Sequence, residues 1–240
     1  TSDVTLGSSQ VINVSAASDS SLTQGLLLSG VVSGGAITKL GAGTLVLSNA
    51  SNSFTGNVDI QGGVVSVSTN TALGSLANGI ILNVNAATAV GLRATGTFAT
   101  SRVITLNQAS NAIEVTAGNT LTLNTAFGLT AVGNALRKND NGTLELANAN
   151  STWNGVLTIG SGAVKVSNAA ALGTVTGNTV VTGSGAALQL NGVNIGAEAL
   201  SLNGSGINNG GALQALANGT TAPTASTSRS RKFIAVEWSK

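Results

Sequence analysis

The hydrophobic residues of this chain come in pairs spaced by two. Leu45/Leu47, Val58/Ile60 and Val65/Val67 are separated by Val46, Asp59 and Ser66. Spacing by two places both members on one face of a strand and predicts short strands with a single buried face. The stretch from Ile37 to Gly74 that holds these pairs returns without a gap from Leu136 to Gly173, 99 positions later. Thr44, Leu45 and Leu47 become Thr143, Leu144 and Leu146; Ile60 becomes Ile159; Val65 and Val67 become Val164 and Val166; Lys39 becomes Lys138. A duplication at fixed offset predicts a repeat architecture.

The turns between these strands repeat as well. Gly43, Gly56 and Gly63 match Gly142, Gly155 and Gly162. Glycine kept at a turn predicts positive φ or no room for a Cβ. Asn49 matches Asn148, and asparagine bonds its own backbone in turns. Phe54 and Trp153 share one repeat position, either as core or corner aromatics or as a platform for a ligand. Strands this short, joined by short turns, suit a meandering antiparallel sheet or a coil that stacks each strand on its equivalent one turn below. The coil accounts for like residues recurring in register.

These residues resemble the autotransporter-associated β-strand repeat. Gly41, Gly43, Thr44, Leu45, Leu47, Phe54, Gly56, Ile60, Gly63, Val65 and Val67 carry the match in the first copy. Gly142, Thr143, Leu144, Leu146, Trp153, Gly155, Ile159, Gly162, Val164 and Val166 carry it in the second. Asp140 stands where the first copy has Gly41, which predicts a different leading turn there. The resemblance implies an all-β, right-handed parallel β-helix, as in passenger regions of bacterial surface and secreted proteins. It implies an extracellular location, secreted or on the cell surface.

Outside the motifs the twofold spacing continues. Val4/Leu6, Ile12/Val14 and Leu26/Leu28 read as the first rungs. Ile80/Leu82/Val84, Val103/Thr105, Ile113/Val115 and Leu121/Leu123 read as rungs of the spacer, and Val180/Thr182, Leu188/Leu190 and Leu200/Leu202 follow the second motif. A β-helix body over 1–216 would hold about ten rungs of roughly 20–25 residues and form a rod near 50 Å long. Residues 217–230 hold the only proline, Pro223, and read as a linker. Residues 231–240, RKFIAVEWSK, read as an extended tail in which Ile234, Val236 and Trp238 share one face and Phe233 lies on the other.

Composition narrows the function. Aromatic residues make up 2% and charged residues 8%, while glycine fills 32 positions. A stacked coil needs few aromatics, since each rung buries small aliphatic side chains against its neighbours. The pI near 9.4 belongs to the tail. Arg229, Arg231, Lys232 and Lys240 against Glu237 give it +3, and the rest of the chain is −1. Four basic residues with one tryptophan do not make a nucleic-acid patch. The chain has no cysteine, so disulfides are absent, which suits export of an unfolded chain. No stretch is long enough for a membrane helix. The chain opens at Thr1 with no signal peptide and reads as a mature or excised fragment.

Histidine is absent too, which removes nucleophile–histidine catalysis and His-based zinc sites. Gly41-Ala-Gly43 lacks the helix that a phosphate loop requires. The sequence therefore names no cofactor, metal or catalytic residue. The carboxylates are scattered; stacking would have to bring Asp59 to Glu114, or Asp140 to Glu145, to assemble a polysaccharide-cleaving pair. The leading reading is a non-enzymatic structural or adhesive β-helix. In one form of it the rods join end to end, with Phe233, Ile234, Val236 and Trp238 as an assembly strand added to a neighbour's open edge. The same strand could cap its own rod or have no role. A polysaccharide-degrading β-helix and a glycan-binding module using Phe54 and Trp153 are the alternatives, and a surface receptor or glycan is the expected partner.

Overall fold

The computed structural model describes residues 2–15, 25–83 and 91–222. Among them the chain is all-β apart from two short 3-10 turns, Asn70–Leu73 and Ile207–Asn209. A nine-stranded sheet runs from Leu26–Leu28 at the lower end to Ala199–Ser201 at the upper end. A lower six-stranded sheet runs from Ser9–Asn13 to Gly128–Leu129, and an upper six-stranded sheet from Phe98–Thr100 to Leu213–Ala215. Val4–Thr5 pairs with Val32–Ser33 below the upper sheet's side. Neighbouring strands are distant in sequence and parallel, as in Ile37↔Val58, Leu45↔Val65 and Leu144↔Val164. The chain therefore winds as a three-sided parallel β-solenoid, laying one short strand per side before it returns above itself.

One inward column on the long sheet shows the winding. Leu26 lies under Leu45, then Val65, Leu92, Ile113, Lys138, Ile159 and Val181. It advances 155 residues in seven steps, about 22 per turn. Nine strands make eight turns from first to last, or about 38 Å at the usual strand spacing. Those are nine rungs, and Val4–Thr5 and Ser9–Asn13 add a level below them on the other two sides, close to the ten rungs and 50 Å expected. Some turns are longer than the motif's own: Val65 to Leu92 takes 27 residues, against 20 from Leu45 to Val65.

The sequence repeat is not the stacking unit. Each motif stacks on itself: Ile37, Leu45 and Leu47 lie under Val58, Val65 and Val67. Leu136, Leu144 and Leu146 lie under Leu157, Val164 and Val166. The second copy is also turned by one side. Ala36–Leu40 belongs to the lower sheet and Thr44–Leu47 to the long sheet, whereas Ala135–Asn139 belongs to the long sheet and Thr143–Leu146 to the upper sheet. Register carries Ile37 through Val58, Ile80 and Ile104 to the level of Phe127, four turns up. Leu136 lies nine residues beyond, one side further round. An offset of 99 residues is thus four turns and one side.

The core is a set of aliphatic columns. Leu45, Leu47, Val58, Ile60, Val65 and Val67 are at most 1% exposed. Two expected pairs face the other way. Ile104 and Leu106, not Val103 and Thr105, point inward, and Val103 is 44% exposed. Thr179 and Val181 point inward in place of Val180 and Thr182. Both segments carry β-branched residues on each parity, so alternation leaves the face undecided, and a one-residue slip exchanges the two faces. Leu202 is exposed at the upper end. Backbone pairing runs on to Thr221, which bridges Asn194. Val84 of the spacer, most of the linker and the whole tail with Phe233, Ile234, Val236 and Trp238 lie outside the described residues.

Candidate functional site

Each motif replaces a strand on one side with an irregular segment, and the special residues collect there. In the first copy this segment lies on the upper sheet's side, below Phe98–Thr100: Ser53 N donates to Val32 O (2.8 Å) and Ser75 N to Phe54 O (3.0 Å). In the second it continues the lower sheet's side above Gly128–Leu129: Asn154 N donates to Val132 O (2.9 Å) and Thr174 N to Trp153 O (2.7 Å). Without an alternating strand, one large ring supplies the inward surface. Phe54 and Trp153 are both fully buried. Trp153 Nε1 donates to Asn134 O (2.6 Å), and its ring meets Phe127 edge-on at 5.3 Å. Neither ring shows a face to solvent, so the ligand-platform reading of this position fails: stacking needs an open face.

Buried asparagines satisfy the backbone where the ladder is interrupted. Asn52 Oδ1 accepts from Val32 N below and its Nδ2 donates to Ala72 O above, both at 2.8 Å. Asn150 does the same work, accepting from Phe127 N (2.9 Å) and donating to Ala171 O (2.8 Å). In the ungapped alignment Asn52 falls on Ser151, so the equivalence is shifted by one residue and sequence comparison misses it. Asn49 and Asn148 cap their own turns and reach down to Ser29 O and Asn124 O.

A pair of buried lysines is the other feature that the sequence left unread. Lys39 and Lys138 are both fully buried, stacked as Ile12–Lys39–Ile60 and Ile113–Lys138–Ile159. Lys39 Nζ donates to Leu40 O (2.7 Å), Gly41 O (2.8 Å) and Gly62 O (2.9 Å). Lys138 Nζ donates to Asn139 O (2.8 Å), Asp140 O (2.7 Å) and Ser161 O (3.2 Å), the same three positions 99 residues on. Three ammonium protons meet three carbonyls, two on their own turn and one on the next turn up. Each lysine thus ties two coils together at a corner. Burial pushes both down to about 8, with Asp140 and Glu114 partly opposing it at Lys138. At neutral pH both still hold their proton.

The lysine pair sets a pH dependence. The unfolded lysine keeps its proton up to the ordinary value of 10.5, while the folded one releases it near 8. Between these values the unfolded state binds more protons, so the unfolding free energy rises with pH there. Urea titrations of the native chain from pH 7.5 to 10.5 are expected to show that rise, and a Lys39→Met/Lys138→Met chain to lack it. The double variant should also be about 2–4 kcal/mol less stable at pH 7, because buried carbonyls lose a donor. A fall with pH in the native chain would refute this reading.

The sequence-predicted glycines take different roles. Gly56, Gly63 and Gly162 have φ of 91°, 61° and 64°. Gly142 and Gly155 do not, but a Cβ there would lie 2.3 Å from Thr116 O and 2.2 Å from Asn134 O. Gly43 bonds Val14 O through its N–H (2.8 Å) in the turn before Thr44. The leading turn of the second copy is the same as the first, contrary to expectation: Asp140 has φ 65° and Gly41 has φ 78°. Aspartate tolerates the left-handed region, and Asp140 Oδ1 accepts from Asn141 N (2.7 Å).

Outward polar side chains pair from coil to coil along the sheets. Along the upper sheet Thr122, Glu145, Lys165, Gln189 and Gln214 stand in one column. Glu145 accepts from Ser167 (2.6 Å) and Thr122 (3.1 Å) and pairs with Lys165 (3.1 Å). Burial would raise its carboxyl, but these hydrogen bonds and the Lys165 charge outweigh it and hold the carboxyl below its ordinary value. On the long sheet Arg93 pairs with Glu114 at 2.5 Å. Inside, Arg102 donates to the carbonyls of Asn70, Gly74, Ser75 and Asn78 and gathers that corner. The two carboxylate pairings considered from sequence are not assembled. Asp59 is on the lower sheet and bonds Gln61, and Glu114 is on the long sheet against Arg93. Asp140 caps a turn, and Glu145 is engaged on the upper sheet. No group of three potential metal ligands occurs among the described residues, and no helix is long and apolar enough to cross a membrane.

The passenger-associated-transport-repeat family matches this chain at residues 37–67 and 136–166, the two self-stacked units described above. Over 133 residues the chain is 32% identical to the Adhesin BmaC autotransporter of Brucella suis biovar 1 (strain 1330). The match covers 55% of this chain and 4% of that adhesin, so the chain compares with a small part of its relative. No solved structure matches. Two stretches of the chain, 37–67 and 136–166, thus carry the repeat of that family, and both are built into one parallel β-solenoid.

Proposed function

We propose that this chain is a non-enzymatic, adhesive or structural segment of a bacterial passenger, secreted or held at the cell surface. The observation that carries this reading is the siting of the two passenger repeats. Each occupies two stacked coils of the same rod, and part of the rod is similar in sequence to part of an adhesin. The chemistry of the surface supports it: Glu114 and Glu145 are spent on hydrogen bonds and ion pairs that brace neighbouring coils, and Asp59 and Asp140 bond within their own turns. Beads coated with the purified chain are expected to bind a panel of cell and matrix surfaces above albumin-coated controls, and the chain to release no reducing or unsaturated sugar from a glycan panel. Turnover would refute the non-enzymatic reading. Binding no better than albumin would remove the adhesive part.

A second reading, end-to-end assembly, rests on the two ends. Val11 (62% exposed), Leu26 and Leu27 lie at the lower end, and Leu202 and Leu216 at the upper. Both ends present strand edges of one polarity, so one rod could continue another's sheets. Residues 231–240 are the candidate bridging strand in that reading.

A further inference from the structure

Glu198 is the only charged residue between Lys165 and Arg229. It is nevertheless 4% exposed. It leads into Ala199–Ser201, the last strand of the long sheet, which pairs below with Asn178–Val181. Its Oε1 accepts from Thr179 Oγ1 at 2.8 Å, and Thr179 is itself fully buried. The strands Asn178–Val181, Ala187–Leu190 and Leu213–Ala215 at this end carry no charged residue. Neither ion pair among the described residues involves Glu198. A buried carboxylate without a cation is costly, and burial pushes this one up to about 7.

Next to this end the chain continues into its only cationic stretch. Residues 229–240 carry +3. Residues 223–230 join Ala222, on the uppermost coil, to Arg231, a tether of eight residues that can reach about 27 Å. Half-buried Leu200 and Leu213 at the open end offer apolar surface to Ile234, Val236 and Trp238. Tethering favours the chain's own tail over a neighbour's by raising its local concentration.

We propose that the upper end of the solenoid is the docking edge for this chain's own residues 231–240, which add to the edge of Ala199–Ser201 that no strand among the described residues occupies, while a basic side chain of the tail, Arg229, Arg231 or Lys232, meets the Glu198 carboxylate. A tail seated there closes the core and withholds this end from a second copy. The inference stands apart from adhesion, since it concerns the end of the rod and not what its sides bind.

The test is hydrogen exchange on the full-length chain. Amides of 199–216 are expected to exchange about tenfold faster in a R229Q/R231Q/K232Q chain than in the native one, at every protein concentration. Glu198→Gln should give a similar acceleration, and the combined variant should add little to either, as for residues sharing one interaction. The Glu198 carboxyl, followed by carbon NMR, should titrate higher in the triple variant. Equal exchange rates in native and variant chains would overturn the proposal. Protection that grows with protein concentration would overturn it in favour of a strand donated by a neighbour.

Discussion

Trp153→Ala is expected to lower the unfolding free energy by about 3–5 kcal/mol, the range for emptying a buried aromatic site. Three losses combine in that figure. The ring is fully buried on a side without a strand, so no neighbouring column can lean into the space. Its edge-on contact with Phe127, 5.3 Å between centroids, disappears. The Asn134 carbonyl, 2.6 Å from the indole nitrogen, loses its donor. Trp153→Phe separates these effects: it keeps most of the ring volume and leaves only the carbonyl unpaired, at about 1–2 kcal/mol. Phe54→Ala should resemble Trp153→Ala in size, and the two should add, because four turns of coil lie between them. Urea midpoints report the total, and hydrogen exchange shows whether the loss stays near the altered coil, as expected of a stack held by nearest-neighbour contacts. A Trp153→Ala chain within about 1 kcal/mol of native would mean that the ring does not fill the strandless side.

The second large effect belongs to one turn position. Gly63 has φ 61°, and a Cβ there would fall 2.2 Å from Gly43 O and 2.7 Å from the Ala42 carbonyl of the turn below. Gly162 has φ 64°, with Gly142 O at 2.3 Å and Asp140 O at 2.6 Å. Gly→Ala at either site incurs left-handed strain of about 1–2 kcal/mol. It also drives a methyl into backbone held in register by the ladder, adding about 1–3 kcal/mol. Gly118 provides the control: φ is 77°, but nothing lies within 4 Å of its Cβ position. Gly118→Ala should therefore show the strain alone. Equal destabilisation at Gly63, Gly162 and Gly118 in urea titrations would show that coil-to-coil approach contributes nothing at this turn.

The local rules were legible. Leu45/Leu47, Val65/Val67 and their second-copy partners announced inward columns, and those residues are inward. The alternation failed at Val103/Thr105 and Val180/Thr182, where β-branched residues sit on both parities and only the neighbouring rungs fix the face. The lysines were visible as a matched pair, but nothing in their spacing tells a solvated ammonium from one enclosed by three carbonyls. Those carbonyls come from two turns of chain, and Gly62 O is 23 residues from Lys39. Asn52 and Asn150 escaped the alignment because the irregular segment between strands permits a one-residue shift that a ladder would forbid.

By itself, then, the sequence determined that this protein is an all-β repeat with twofold inward spacing, because alternation and turn chemistry act within a few neighbouring residues. Only the tertiary structure decided which segment lies on which, that the second motif is turned by one side, and that the aromatic pair is sealed inside. Those outcomes depend on how many residues each turn consumes, from 20 to 27 along the long sheet after Leu45. That length is a sum over the whole coil, and register fixes it only when the chain has closed on the turn below.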